Sequence, residues 1–453
     1  MAMKITKLET IWIDEQPNTT WVRIHTDDGL IGLGETFYVP RAISAMVHDV
    51  FANLLLGRSA FDIESHWQNM FYTVNFFGYG GSETRAISAV DVALWDLLGQ
   101  YTGQPIYNLL GGRCRDDIWI YNTCVGHGKH QDYKRWAEGH TGELATELLG
   151  HGIKAMKIWP FDIAAERSGG YDIGAAELET ALEPFARIRR AVGDRMDIMV
   201  EFHSLWNLPT AKKIARALEE FEPFWYEDPI KADNIDALAD YASSTFVPTT
   251  VSETLATRWS FREVMQANAA GVIMLDLSWC GGISEAKKIA SMAESFQLPV
   301  APHDCTGPVV LVASTHLSLN ATNALVQESV RAFYTGWYRE LVTDLPTVEN
   351  GYMNLSAKPG LGTQLLPHLR DRKDAHVRSS TLDRGSHRLP DHLRGPVADP
   401  GVTRSRDDIG RHRERLARQG CVRHPFLGQR DRGVGRVHVH LTRNVGLHLL
   451  TQH

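Results

Sequence analysis

The chain has 453 residues, more than one ordinary domain and enough for a large core. Hydrophobic residues make up 43% of it, beside 38 glycines and 19 prolines, which excludes a fibrous or mostly disordered protein. The formal net charge of −7 supplies no overall basic field and argues against nucleic acid as a partner.

Residues 4–37 hold two alternating runs, KITKLETIWI and TTWVRIHTDDGLIGLGE, broken by the turn signals Asp-Asp-Gly and Gly-Leu-Gly. This pattern predicts an antiparallel start. From Pro40 to about Gly111 the period becomes helical, and SETRAISAVDVALWDLLGQYTG places Ile87, Val90, Ala93, Leu94 and Leu97 on one face. Beyond about Ile118, short apolar runs alternate with helical stretches roughly every twenty-five residues. The runs are IWIYNT, AMKIW, DIMVEFH, FWYEDP, TTVSE, GVIMLDLS, LPVAPHD and ALVQES. Eight is the number that closes a parallel barrel, so the expected fold class is α/β, a modified TIM-type (β/α) barrel behind an α+β N-terminal capping domain. A doubly wound sheet is the alternative, disfavoured because no GxGxxG follows any of the runs.

From about residue 374 the texture changes to Arg, His, Asp and Gly, with no Lys, Tyr, Trp or Met. Such a segment supplies no core. It reads either as a basic nucleic-acid arm or, the reading preferred, as a disordered segment or translation in a shifted frame after PGLGTQLLPHL, and it is set aside for function. Cys114, Cys124, Cys280, Cys305 and Cys421 form no CxxC pair, as in a reducing compartment, so a cytoplasmic location is expected. The start, MAMKITKLETIWIDEQ, lacks the apolar stretch of a signal peptide or membrane span, and no membrane partner is expected.

Glu201, Glu227 and Glu253 recur at equal intervals of 26 residues at the ends of strand-like runs. Alone, a Glu in such a place is usually an ion-pair partner. Three in register converge at one barrel mouth and would repel one another without a cation. An oxygen-only donor set favours Mg²⁺, with Mn²⁺ as a substitute, over Zn²⁺. Asp276 and His303 end the next two runs, where the carboxylate can hold the imidazole as a general base; the plain alternative is a helix cap and a structural histidine. Lys157 and Glu328 complete the ring.

These residues carry a resemblance to the enolase superfamily, in its mandelate racemase branch, across nearly all of residues 3–366. SAVDVALWDLLGQYTGQPIYNLLGG resembles the family's approach to the barrel, the three glutamates fall where its metal ligands lie, and PGLGTQ matches its C-terminal segment returning to the cap. The implied domains are a cap over 1–117, a barrel over 118–340, the returning segment over 341–372 and the Arg/His-rich tail over 373–453. VEFHS, DLSWCGGISEAKKIASMAE and APHDCTGPVVLVASTH are most similar to the galactonate dehydratase group. That similarity implies a Mg²⁺-dependent aldonate-type acid-sugar dehydratase: His303 with Asp276 removes the C2 proton, Glu328 hydrogen-bonds the carboxylate oxygen, Lys157 stabilises the enediolate, and His203 protonates the leaving C3 hydroxyl. It also implies a small acid sugar as partner and a homo-oligomer. An epimerase, racemase or cycloisomerase, or a silent acid-sugar-binding relative, remains the alternative.

Two departures bear on this. Lys157-Ile158-Trp159 stands where many relatives have Lys-x-Lys, which disfavours a two-base racemase, and Glu201 stands where Asp is usual. Trp159, Trp21 and Tyr38 are the expected substrate contacts, with Phe37 and FYTVNFFGYGGS as lid material; most aromatics in a mixed domain are simply core. His127 and His130 are further inward-pointing candidates.

Overall fold

A computed structural model describes residues 3–382. The cap begins with an antiparallel meander of β1 (Ile5–Ile13), β2 (Gln16–Thr26) and β3 (Ile31–Phe37), as the alternation predicts. Two long helices follow, α1 (Ile63–Val74) and α2 (Ser82–Thr102). Helix α2 lies on the sheet with Ile87, Val90, Ala93, Leu94 and Leu97 fully buried. The Ile, Val and Leu side chains among them each contribute about 1.5–3 kcal/mol relative to exposure. Glycines in GLIGLGE permit the approach: a Cβ on Gly34 would fall 1.8 Å from the Ala89 carbonyl oxygen, and one on Gly32 would fall 2.1 Å from that of Ala93.

Eight parallel strands come next, one for each apolar run: β4 (Ile118–Thr123), β5 (Ala155–Ile158), β6 (Asp197–Glu201), β7 (Trp225–Glu227), β8 (Thr249–Val251), β9 (Val272–Leu275), β10 (Val300–Pro302) and β11 (Gln327–Ser329). Neighbours pair in sequence order, β10 meets the approach to β11 at the Val300–Ala324 bridge, and β11 pairs with β4. The sheet is therefore a closed barrel. Its lower interior is filled by Tyr121, Ala155, Met199, Trp225, Met274, Ala301 and Val326. Period-two alternation then aims the residue two positions further along each strand at the mouth. Those residues are Thr123, Lys157, Glu201, Glu227, Asp276, His303 and Glu328.

After the barrel a short hairpin, β12 (Thr347–Glu349) and β13 (Tyr352–Asn354), pairs with the start of β4. A last strand, β14 (Ala375–Thr381), runs antiparallel to β1 and makes the cap sheet four-stranded. This corrects the expected tail boundary at 373, since at least residues 375–381 belong to the cap; the rest of the Arg/His-rich segment, beyond Leu382, lies outside the described residues. Among the described residues no helix is long and apolar enough to cross a membrane.

Cap and barrel meet at Glu35 on β3. Its carboxylate accepts from the Val309 and Val310 N–H groups, at 3.0 and 2.9 Å, in the first turn of α3 (Pro308–Asn320), the helix that follows His303. Trp21 donates its indole N–H to the same carboxylate at 2.7 Å and is fully buried in the core. Trp21 is thus a bracket between the two units, and its expected place as a substrate contact is corrected.

Candidate active site

Glu201 and Glu227 are direct partners across β6 and β7. Glu253 lies two residues beyond β8, and the three carboxylates each offer an oxygen within 4.8 Å of the others. Glu201 spends one oxygen on its own turn, accepting from Phe202 N–H at 3.0 Å and His203 N–H at 2.7 Å. His203 and Ser204 take the left-handed conformation, with φ of 49° and 58°. The second Glu201 oxygen lies 3.4 Å from Lys157 Nζ.

Lys157 is the cation of the cluster, 2.5 Å from Glu227 and 3.0 Å from Glu328. Burial works against its charge, but Glu227, Glu328 and Glu201 hold its pKa well above the usual lysine value. One lysine does not neutralise the crowd. Burial and the charge of Glu201 push Glu227 well above the carboxylate range, and the same two causes act on neighbouring Asp228. Asp228 accepts from Ser252 Oγ at 2.8 Å through one oxygen, while its buried Oδ1 has no partner. Buried carboxylates in excess, one orphaned oxygen and no sulfur or imidazole in the donor trio fit a hard divalent cation held by Glu201, Glu227 and Glu253.

Two imidazoles flank this cluster, each with its own carboxylate. His303 Nδ1 donates to Asp276 Oδ2 at 2.7 Å, and Asp276 is fixed by Ser278 N–H and Oγ at 2.6 and 2.5 Å. His303 Nε2 faces Glu253 at 2.8 Å and Glu328 at 3.6 Å. Burial lowers the His303 pKa, yet Glu253, Glu328 and Asp276 together carry it well above the ordinary value. On the other side His203 Nδ1 donates to Asp162 Oδ2 at 2.7 Å. Burial is again outweighed, here by Glu201 and Asp162, and His203 rises to about 9.

Trp159 stands beside His203, edge to face at 5.9 Å between centroids. Tyr38 is half-exposed and leans on Trp279, the ring next to His303. Tyr38 and Val39 both have positive φ, 70° and 49°, a strained conformation for the β-branched Val39. Glu328 accepts from Thr123 Oγ, Lys157 Nζ and Asp304 N–H, which sets it against Lys157 in the ring of strand-end residues. His127 and His130 pair with one another in a small hairpin and do not join the cluster. In the expected lid stretch Tyr72, Phe76, Phe77 and Tyr79 are exposed, and Phe71 is core.

Asp162, Asp228, Trp279 and Arg85 of the cap complete the surroundings and were not singled out from sequence. Asp228 had a signal in the Glu-Asp-Pro step after β7. Asp162 lies 41 residues from His203, and no local pattern joins them.

Comparison with known proteins decides the family. The model of the mandelate racemase / muconate lactonizing enzyme N-terminal domain matches residues 11–111, and that of the enolase C-terminal domain-like family matches residues 140–369. The chain belongs to the enolase superfamily, in its mandelate racemase branch. It is 33% identical over 373 residues to D-galactonate dehydratase of Variovorax paradoxus, covering 80% of this chain and 92% of the relative. The corresponding enzyme of Cronobacter sakazakii is 30% identical over 408 residues, 88% of this chain and the whole of that one. A solved enolase of the mandelate racemase subgroup from Agrobacterium tumefaciens is 51% identical with a TM-score of 0.77, over 84% of this chain and 99% of its own. An enolase protein from Sargasso Sea environmental sequencing is 43% identical with a TM-score of 0.78, over 84% and 100%.

Proposed function

We propose that this enolase-superfamily protein is a hydro-lyase, a magnesium-dependent acid-sugar dehydratase that converts a 2,3-dihydroxy acid into a 2-keto-3-deoxy acid. The observation that carries the reading is the pair of carboxylate-held imidazoles, His303–Asp276 and His203–Asp162, on either side of the three-glutamate cluster. Elimination across C2 and C3 needs a base and an acid in such positions. Relatives named D-galactonate dehydratase support the reaction class.

The proton alpha to a carboxylate is weakly acidic, and a bound Mg²⁺ supplies electrophilic stabilisation of the charge that develops there. The chain supplies the rest. His303 Nε2 takes the C2 proton, with Asp276 fixing the ring and favouring the imidazolium. Lys157 donates to the developing oxyanion and is kept in place by Glu328. His203 gives its proton to the C3 hydroxyl, which departs as water, and the enol that remains rearranges to the ketone. Trp159 and Tyr38 shape the space for the sugar chain.

The test is a screen of the full-length Mg²⁺-loaded protein against aldonic and aldaric acids, reading 2-keto acid formation. Turnover of at least one acid, abolished in His303→Asn, is the expected result. Silence across the library with Mg²⁺ demonstrably bound would overturn the dehydratase.

A further inference from the structure

Arg85 takes no part in the proposed proton transfers, yet it lies against the ring that borders His303. It projects from the first turn of α2, and its Nη1 donates to the Phe37 carbonyl at 3.0 Å. Its guanidinium lies 4.1 Å from the centre of the Trp279 ring and 5.6 Å from that of Tyr38. The Trp279 ring in turn lies 5.4 Å from that of His303. Arg85 is therefore one indole away from the proposed base.

Only one of five guanidinium N–H groups has an acceptor, and no carboxylate among the described residues forms an ion pair with it. Burial disfavours its charge, and Asp276 and Glu253 support it only through space. Beside it, the indole N–H of Trp279 is buried and also lacks an acceptor, although Trp279 is more than nine-tenths buried. A part-buried cation with spare donors next to an orphaned N–H makes a site short of an anion. Stacking on Trp279 holds the guanidinium plane, and a planar fork matches a carboxylate through two parallel hydrogen bonds.

We propose that Arg85 binds a second carboxylate at the far end of the substrate, so that the protein takes aldaric diacids in preference to aldonic monoacids. The proposal rests on the acid-sugar reading above and extends it. The proton-transfer groups and the three glutamates attend to the end that reacts, and the cap reads the other end. A terminal hydroxymethyl group in that place would leave the guanidinium without a counter-charge once water is displaced.

The test uses hexaric acids and their hexonic counterparts, identical pair by pair except for carboxylate or hydroxymethyl at C6. Binding to the Mg²⁺-loaded wild type, Arg85→Gln and Arg85→Lys is measured by titration calorimetry, together with kcat/KM where turnover occurs. In the wild type at least one diacid is favoured over its monoacid, and Arg85→Gln lowers its binding by about 100-fold, the scale of losing one partner of a desolvated charge pair. The monoacid changes only a few-fold, and Arg85→Lys keeps part of the preference. Equal losses for both acids would reduce Arg85 to a prop for Trp279. The absence of any diacid preference in the wild type would also overturn the proposal. Because binding needs no turnover, a diacid preference without keto-acid formation sinks the dehydratase reading alone and leaves the Arg85 assignment standing.

Discussion

His203 and His303 have one side chain and two proposed tasks, because their neighbours differ. His303 is buried behind Trp279, whereas His203 is exposed at the rim on a left-handed turn, tied to Asp162. An acid at the rim can be removed without disturbing the base. His203→Asn is expected to lower dehydration by about 10²–10⁴-fold, the usual worth of a general acid. Exchange of the C2 hydrogen with solvent deuterium should persist, because His303 and Asp276 are untouched. Equal loss of exchange and dehydration would show that His203 positions substrate and gives no proton. At this scale the sequence was informative where residues repeat: one carboxylate per βα unit exposes Glu201, Glu227 and Glu253, and alternation does the same for Lys157 and His303. Partners brought together by folding, such as Arg85 with Trp279, leave no periodic trace. Trp21 misled because an aromatic near the cap looks alike as lid or as bracket.

Between elements, β14 shows the limit of composition as a guide. AHVRSST carries little apolar surface, but an edge strand is held by a backbone ladder, which side-chain composition does not reveal. His48 reports on this junction: its ring nitrogens meet Thr10 of β1 at 3.0 Å and Ser380 of β14 at 2.8 Å. Burial, then the charge of Arg378, lowers its pKa from 6.5 to about 4, against the opposing pull of Asp49 and Glu9. The folded value lies below the unfolded one, so this contribution to stability is fully present above pH 6.5 and is lost as pH falls through about 4. Thermal melts should therefore show Tm falling between pH 7 and 4.5, less steeply in His48→Gln. Parallel curves for the two proteins would show that His48 is not responsible.

The whole molecule was legible in its repetition. Eight apolar runs at a βα interval predicted the barrel, and the change of period near residues 40 and 118 predicted the cap. How the two halves join was not legible, since Glu35 and the turn at Gly307 are far apart in the chain. A Cβ on Gly307 would fall 2.3 Å from the Glu35 carboxylate, so the contact depends on the absence of a side chain. The proposed cation site would link the whole fold to metal supply, because an ion that binds only the folded state stabilises it by about 2.7 kcal/mol at a hundredfold excess over Kd. Mg²⁺ should raise Tm in scanning fluorimetry, EDTA should reverse the rise, and Glu227→Gln should abolish most of it. A Tm indifferent to Mg²⁺ would argue against a metal centre at these residues.

The order of synthesis adds a consequence of β14. Strand β1 is synthesised more than 360 residues ahead of its partner β14. At cellular elongation rates that wait lasts roughly 20–70 seconds. Through this time one edge of the nascent cap sheet stands open to pairing with another chain. Glu9, buried on β1 and already matched by Lys7 and Arg23 from the first hairpin, puts charge beside that edge before its late partner arrives. The exposed interval, more than the finished fold, is when this protein is most open to edge-to-edge association.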